Sequence, residues 1–331
     1  MRAVLRTAAL LLCLVVIRSA RAAEFTGNGP LAVRNFQPIQ LIFLNLPFER
    51  AQVLERGAFE IHLESAESNE IATHQEDVQA LLKFETNRTV IGGSLGLAPG
   101  LQVGLDVPFI SRFGGFLDPF VDGVESFFGT TNPERHLFPD NSFGGFHVRL
   151  RNTVLFEGRD QQLELGDMWV SAKYAVWHAP GLPFLALRGA IKAPTGRAGG
   201  VFGSGKPDFA LGVAAEHHLL DWLMAYGNLS VIYPVGPITP GRLTLNPFLT
   251  EGVAAEAHVW RGLSLLLQQE TYTSPIHGTG TRLLDGTAVE LTAGANVAWR
   301  SLLFQLGAID NISPVATAAD FTLFLRLSYG R

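Results

Sequence analysis

From Gly57 onward apolar and polar residues alternate at period two, in one run after another. Phe59, Ile61 and Leu63 fall on one face, with Glu60, His62 and Glu64 on the other. Ala80, Leu82 and Phe84 oppose Lys83 and Glu85, and the odd positions from Leu101 to Phe109 oppose Gln102 and Asp106. The pattern returns at Met168 to Val176, where it opposes Asp167 and Lys173, at Leu185 to Ile191 against Arg188 and Lys192, and at Phe209 to Ala215 against Glu216 and His218. It continues at Ala225 to Tyr233, Val253 to Val259, Leu263 to Leu267, Val289 to Trp299, Leu302 to Leu306 and Phe321 to Tyr329. Strict alternation predicts strands with one apolar face. Runs of about 9 to 13 residues suit a tilted strand crossing a bilayer, whereas strands of a soluble sandwich average about 5 to 6.

The expected fold is therefore all-β: a closed antiparallel transmembrane β-barrel, apolar faces toward lipid and polar faces around a lumen. Only a closed sheet leaves no unpaired edge in hydrocarbon. Short turns at Pro99-Gly100, Gly181, Asp221, Gly262 and Arg300 alternate with long connections, and twelve strands place both termini on the short-turn, periplasmic side. Fourteen strands fit if Ile39 to Leu46 also crosses. Trp177, Trp222, Trp260 and Trp299 lie beside the short turns, and Tyr233 and Tyr272 at the opposite strand ends, as two aromatic girdles would.

One long stretch, Phe113 to Phe146, does not alternate. Phe120, Val121, Val124, Phe127 and Phe128 recur at helical spacing after Asp118, placed to cap, and Pro119, with Gly129 to stop the helix. The tetrapeptide Phe-Gly-Gly-Phe brackets it, so Gly114, Gly115, Gly144 and Gly145 read as hinges of a lid or plug. The surplus run His147 to Leu155 joins it in a third external loop, 111–165, with the helix expected against the inner wall in preference to the outer leaflet. Pro30, Pro38 and Pro47 rule out a long helix in residues 23–55, which are expected on the periplasmic side or entering the lumen.

The first 22 residues have the parts of a cleaved signal: Arg2 and Arg6, an apolar core from Ala8 to Ile17, and the small-residue exit Ala20-Arg21-Ala22. The one cysteine, Cys13, lies in that core, so the mature chain has no disulfide. Cleavage removes four arginines and no acid, making the net charge more negative than the −5 of the whole chain and disfavouring nucleic acid as a partner. The remaining partners are outer-membrane lipid, the barrel-assembly machinery and a small solute.

Basic and acidic residues on the polar faces mark the lumen: Lys83, Glu85, Asp106, Asp167, Lys173, Arg188, Lys192, Glu216, His218, Glu256, His258, Glu270, Glu290 and Arg326. Glu216-x-His218 and Glu256-x-His258 repeat one motif, but one strand separates them, roughly 10 Å at ~4.8 Å per strand. Polar lining is preferred there over a metal site, and no cofactor is expected. No phosphate-loop spacing and no nucleophile–base set stands out, so no catalytic residue is assigned.

Three blocks carry a family likeness: Gly29-Pro30-Leu31 with Arg34-Asn35 and Gln37-Pro38; Gly114 to Asp118 continuing to Phe128-Gly129; and Ile309-Asp310-Asn311 with Ala319 to Thr322. Together they resemble the uncharacterised bacterial outer-membrane β-barrels catalogued as domain of unknown function three-one-eight-seven. Phe36 stands where that family usually has glutamine. The resemblance implies a Gram-negative outer-membrane location and brings no activity to carry over. The expected function is a channel or solute-uptake barrel gated by the third loop; the alternatives are an enzyme acting on lipid or envelope polymer, and a sealed structural barrel. Amino-terminal sequencing of protein from the outer membrane should begin at Ala23; a chain beginning at Met1 would overturn the signal assignment.

Overall fold

The computed structural model describes residues 25–331 apart from 130–131, 152, 178–181, 239–242 and 314–316, and only the backbone of Phe128, Gln162 and Trp177. The expected signal, with Cys13, and the turn at Gly181 lie outside the described residues. Among the described residues, fifteen strands share one sheet. They are β1 (Phe59–Gln75), β2 (Val78–Ala98), β3 (Leu101–Phe113), β4 (Gly145–Leu150), β5 (Thr153–Gly158), β6 (Gln161–Leu165), β7 (Trp169–Trp177) and β8 (Phe184–Lys192). Then follow β9 (Asp208–Leu220), β10 (Leu223–Pro234), β11 (Phe248–Trp260), β12 (Leu263–Tyr272), β13 (Ala288–Trp299), β14 (Leu302–Asn311) and β15 (Phe321–Gly330). Among the described residues, two α-helices, α1 (Asp118–Phe128) and α2 (Arg282–Asp285), lie in the long connections.

Twelve of the strands, β1 to β3 and β7 to β15, form a closed antiparallel barrel, sealed by the β1–β15 pair in register from Glu60↔Gly330 to Asn69↔Phe321. The others lengthen the wall: β4 replaces β3 beside β2 above Phe113, and β6 replaces β7 beside β3. Leu211, Leu229, Val253, Leu267, Leu306 and Leu325 are exposed on the outer face, and the alternation read from sequence holds around most of the ring. Trp222, Trp260 and Trp299 are exposed at the short-turn end, where Arg261 and Arg300 stack on the last two. Tyr272, expected in the opposite girdle, instead points inward and is buried, because it shares a face with Gln268 and Glu270.

Three further expectations are corrected on β2 and its neighbours. First, the insert is the second connection at the long-loop end, since β1 and β2 turn directly at Glu76-Asp77 and only that turn precedes it. Second, Lys83 and Glu85 do not line the lumen. β2 pairs with β1 without a bulge, so the face that carries exposed Ile91 also carries Glu85 and Lys83, and Leu82 and Phe84 point inward.

Third, α1 is not a plug. Its Leu117 approach and Val121 pack on Phe321, with Leu323 and Ala308 alongside, on the outer face of β14 and β15. The Phe120 ring meets that of Phe321 at 5.5 Å, tilted by 58°, and is half exposed, Val124 is half-buried, and Phe127 is 82% exposed. The side chain of Phe128 lies outside the described residues.

The insert is held there by charge. Glu85 accepts the N–H groups of Phe116 and Leu117 at 2.9 and 2.6 Å. Asp118 does not cap the helix; it meets the Lys83 ammonium, Asn69 Nδ2 at 2.8 Å, Arg135 at 3.2 Å and the N–H of Asn141 at 2.7 Å. Burial by itself would raise this carboxyl, but the bonds from Lys83, Asn69 and Asn141 outweigh it and hold Asp118 below its ordinary value. The bracketing glycines allow the close approach. Gly115 has φ +85°, and a Cβ there would lie 1.9 Å from the Glu85 carboxyl carbon, while one at Gly144 would crowd the Lys83 stem. Gly114 faces the Asn141 carbonyl and Gly145 has φ +148°.

Gly115→Ala therefore adds a left-handed strain and a clash, together about 1–3 kcal/mol against docking. Limited proteolysis in detergent should cleave the insert near Arg135 several-fold faster than in the parent while the barrel stays intact. An unchanged rate would mean the insert is not held through Glu85.

Candidate functional site

An extended segment inside a barrel has no ladder partner, so each of its backbone N–H and C=O groups needs a side chain or water. Residues 25–55 run through this lumen, and the inward polar residues of the wall supply those partners. Glu256, fully buried, accepts the N–H groups of Asn28 and Gly29 at 3.0 and 3.1 Å. The same carboxylate takes Tyr226 Oη at 2.6 Å, Asn296 Nδ2 at 3.0 Å and the Ser264 hydroxyl. Gln268 brackets Leu31, accepting its N–H and donating to its carbonyl. Asn296 and Gln305 donate to the carbonyls of Gly29 and Pro30.

A second tier is ionic. Glu216 binds Arg50 at 3.0 Å and the N–H of Ala51 at 3.0 Å, and Arg50 reaches back to the Thr26 and Gly27 carbonyls. Glu49 bridges Lys173 at 2.9 Å and Arg188 at 2.6 Å. Lys192 sits between Asp167 and Asp208, each at 2.8 Å, and donates to the Ile42 carbonyl, while Asp208 takes the N–H of Leu44. Burial pushes Glu49 up, but Lys173 and Arg188 outweigh it and bring the carboxyl down to about 2.

Toward the long-loop end the inner face turns apolar. Ile39, Ile42, Phe43 and Leu44 of the segment pack with Leu82, Phe84, Phe146, Val148, Phe156 and Phe248 of the wall, and Leu283 and Leu284 of α2 close over them. Toward the short-turn end a cavity of about 410 Å³ remains between the segment and the wall, reached by His62, Glu64, Asp106, Arg326, Lys173 and Arg188, with Trp169 at its inner limit.

The residues assigned to the lumen thus divide. Lys173, Arg188, Lys192, Glu216 and Glu256 hold the segment, with Asp167 through Lys192. Asp106 pairs with His62, and Arg326 with Glu60 at 2.9 Å. Glu270 and Glu290 are buried opposite each other on β12 and β13, and Glu270 is bonded to Gln268 and Thr292. His218 shares the inner face with Glu216, and His258 contacts the Phe25 ring and the Arg261 carbonyl. Glu216 and Glu256 serve the segment separately, and among the described residues no group of three His, Cys, Asp or Glu is placed to hold a metal. Sequence reasoning passed over the amides Asn228, Gln268, Asn296 and Gln305, although each lies on the polar face of its strand. It also passed over Glu49 and Arg50, which lie in no periodic run.

The family described as Protein of unknown function (DUF3187) matches residues 7–331. The chain belongs to that family. No curated protein sequence matches it. Among solved structures, the COG4313 outer membrane channel from Pseudomonas putida F1 superposes with a TM-score of 0.56 at 13% identity, covering 85% of this chain and 98% of that one. The KdgM porin gives 0.42 at 8% identity over 82% of this chain and 98% of its own. The Pseudomonas putida toluene transporter TodX gives 0.37 at 10% identity, over 85% and 90%. At these identities the first likeness concerns the fold: this chain shares the barrel architecture of an outer-membrane channel.

Because Glu49 is lower in the folded protein than its ordinary 4.5, its contribution is complete above that value and is lost as pH falls from about 4.5 toward 2. A spin label at Gln52, placed through a unique engineered cysteine, should become mobile across that window. Glu49→Gln should raise mobility at neutral pH and remove this part of the pH response. Identical profiles for parent and variant would exclude Glu49 as the tie.

Proposed function

We propose that the protein is an outer-membrane channel for small polar solutes, closed in this conformation by residues 25–55 and opened when they leave the lumen. On this reading it is exported by the cleaved signal, inserted by the assembly machinery with its short turns in the periplasm, and performs no catalysis. The observation that carries the proposal is the way the segment is held. Its central stretch is tied by separate charge-assisted bonds through Glu49, Arg50, Lys173, Arg188, Lys192 and Glu216. Such bonds exchange for water at modest net cost, so a wall of this kind can release what it holds. The gate is moved from the insert helix to the amino terminus, since a helix on the outer wall does not narrow the lumen. Opposite charges alternate along the inner wall, which favours weak ion selectivity over a strongly selective pore. The name of the COG4313 channel agrees with this reading.

Planar-bilayer recording tests it. The intact protein should conduct rarely and briefly, and a chain lacking residues 25–55 should conduct steadily. A full-length Lys173→Met, Arg188→Met variant should open more often than the parent, guarding against misfolding of the deletion. Removing Gly115 to Gly144 should leave the opening frequency of the parent unchanged. If the folded deletion and the folded double variant both stay closed, the protein is a sealed structural barrel.

A further inference from the structure

The cavity at the short-turn end contains a built site. His62 on β1 and Asp106 on β3 are two strands apart, yet Nε2 and Oδ1 meet at 2.8 Å. They meet because the residue between them in register is Gly92, where a Cβ would lie 2.1 Å from Asp106 Oδ1 and 2.5 Å from His62 Nε2. The imidazole is only 7% exposed, and its other nitrogen, Nδ1, has no hydrogen-bond partner among the described residues. The nearest carboxylate to Nδ1, Glu60, is at 3.7 Å. A buried, oriented, unpaired polar atom on a cavity wall is where a ligand hydroxyl or water belongs.

The charged groups that line it balance in number, Glu49, Glu60, Glu64 and Asp106 against Arg50, Lys173, Arg188 and Arg326. Glu49 lies between Lys173 and Arg188, and Arg50 is on Glu216. Glu60 and Glu64 face Arg326 at 2.9 and 3.9 Å, and Glu64 also binds Arg88 at 2.7 Å. An ionised ligand would unbalance this set in a confined site. An uncharged ligand leaves it balanced, and ion pairs of this kind keep lone pairs and N–H groups free for hydroxyls. Ser94, Ser171 and Trp169 lie on the same wall, Trp169 directly beside Asp106 in register, where its ring offers an apolar surface to C–H groups.

We infer that this vestibule is a binding site for a neutral, hydroxyl-rich solute of about mono- to disaccharide size, with His62 Nδ1 as its buried hydrogen-bond contact. The volume of about 410 Å³ lies within the range of small-ligand sites. The inference deepens the channel reading by naming its solute class. Since Glu49, Arg50 and residues 27–30 border the same space, an occupant touches the segment that closes the lumen.

Isothermal titration of the full-length protein in detergent tests it, with maltose as the neutral ligand and galacturonate and glucosamine as charged ones. Saturable maltose binding is expected, with both charged sugars at least several-fold weaker. His62→Ala should weaken maltose about 3- to 10-fold, the value of one hydrogen bond between neutral groups. Gly92→Ala, which displaces the imidazole without removing it, should have a similar effect. Trp169→Phe keeps an aromatic face and should change affinity less. Tighter binding of a charged sugar overturns the solute class. Absence of saturable binding to a folded barrel, or maltose binding indifferent to both His62→Ala and Gly92→Ala, overturns the site. Binding without conductance in any variant would leave the site standing and remove the channel; conductance without binding would do the reverse.

Discussion

The structure depends on the need to satisfy an extended backbone that has no strand beside it. A segment such as residues 25–55 would be unstable in a low-dielectric tube unless every amide found a partner. The wall meets that need with side chains: Gln268 brackets one residue as a neighbouring strand would, and Glu256 gathers two backbone N–H groups and three side-chain donors. The polar inner face is thus the second half of the segment's hydrogen-bonding scheme. What remains open is the space the segment leaves beside β1 to β3, where the His62–Asp106 pair crosses over Gly92.

The same logic works in reverse on the outside. Lys83, Glu85 and Asn69 would be costly on a face turned to hydrocarbon. The insert covers them with Asp118, Arg135 and two backbone N–H groups, and presents Phe116, Phe120 and Phe127 outward in their place. A patch of wall that is polar by sequence is made apolar by what lies on it. The insert belongs to the outer surface of the barrel, and the amino terminus to its interior.

Much of this was legible in the chain. Period-two alternation in long runs, the aromatic residues at short turns and the parity of the connections determined a closed barrel of twelve strands, or fourteen if Ile39 to Leu46 also crossed, its inside and outside over most strands, and which charged residues of β7 to β11 face inward. These are local properties, because each strand carries its own two faces in its own composition. The helix in the insert, with its Pro119 start and Gly129 stop, was equally local.

Only the tertiary structure decided where nonlocal pieces go. Alternation distinguishes two faces but does not say which is inside where both are covered. On the upper part of β2, Leu82 and Phe84 face an apolar core inside while Lys83 and Glu85 face a polar insert outside, so the pattern there reads the same and means the opposite. An amphipathic helix specifies a face to bury and leaves open what will bury it, and α1 found β14 and β15. Residues 25–55 carry no periodicity, being organised by partners more than 100 positions away, such as Glu216 and Gln268. Closure of the ring brings those partners to them, and no single stretch of sequence contains that information.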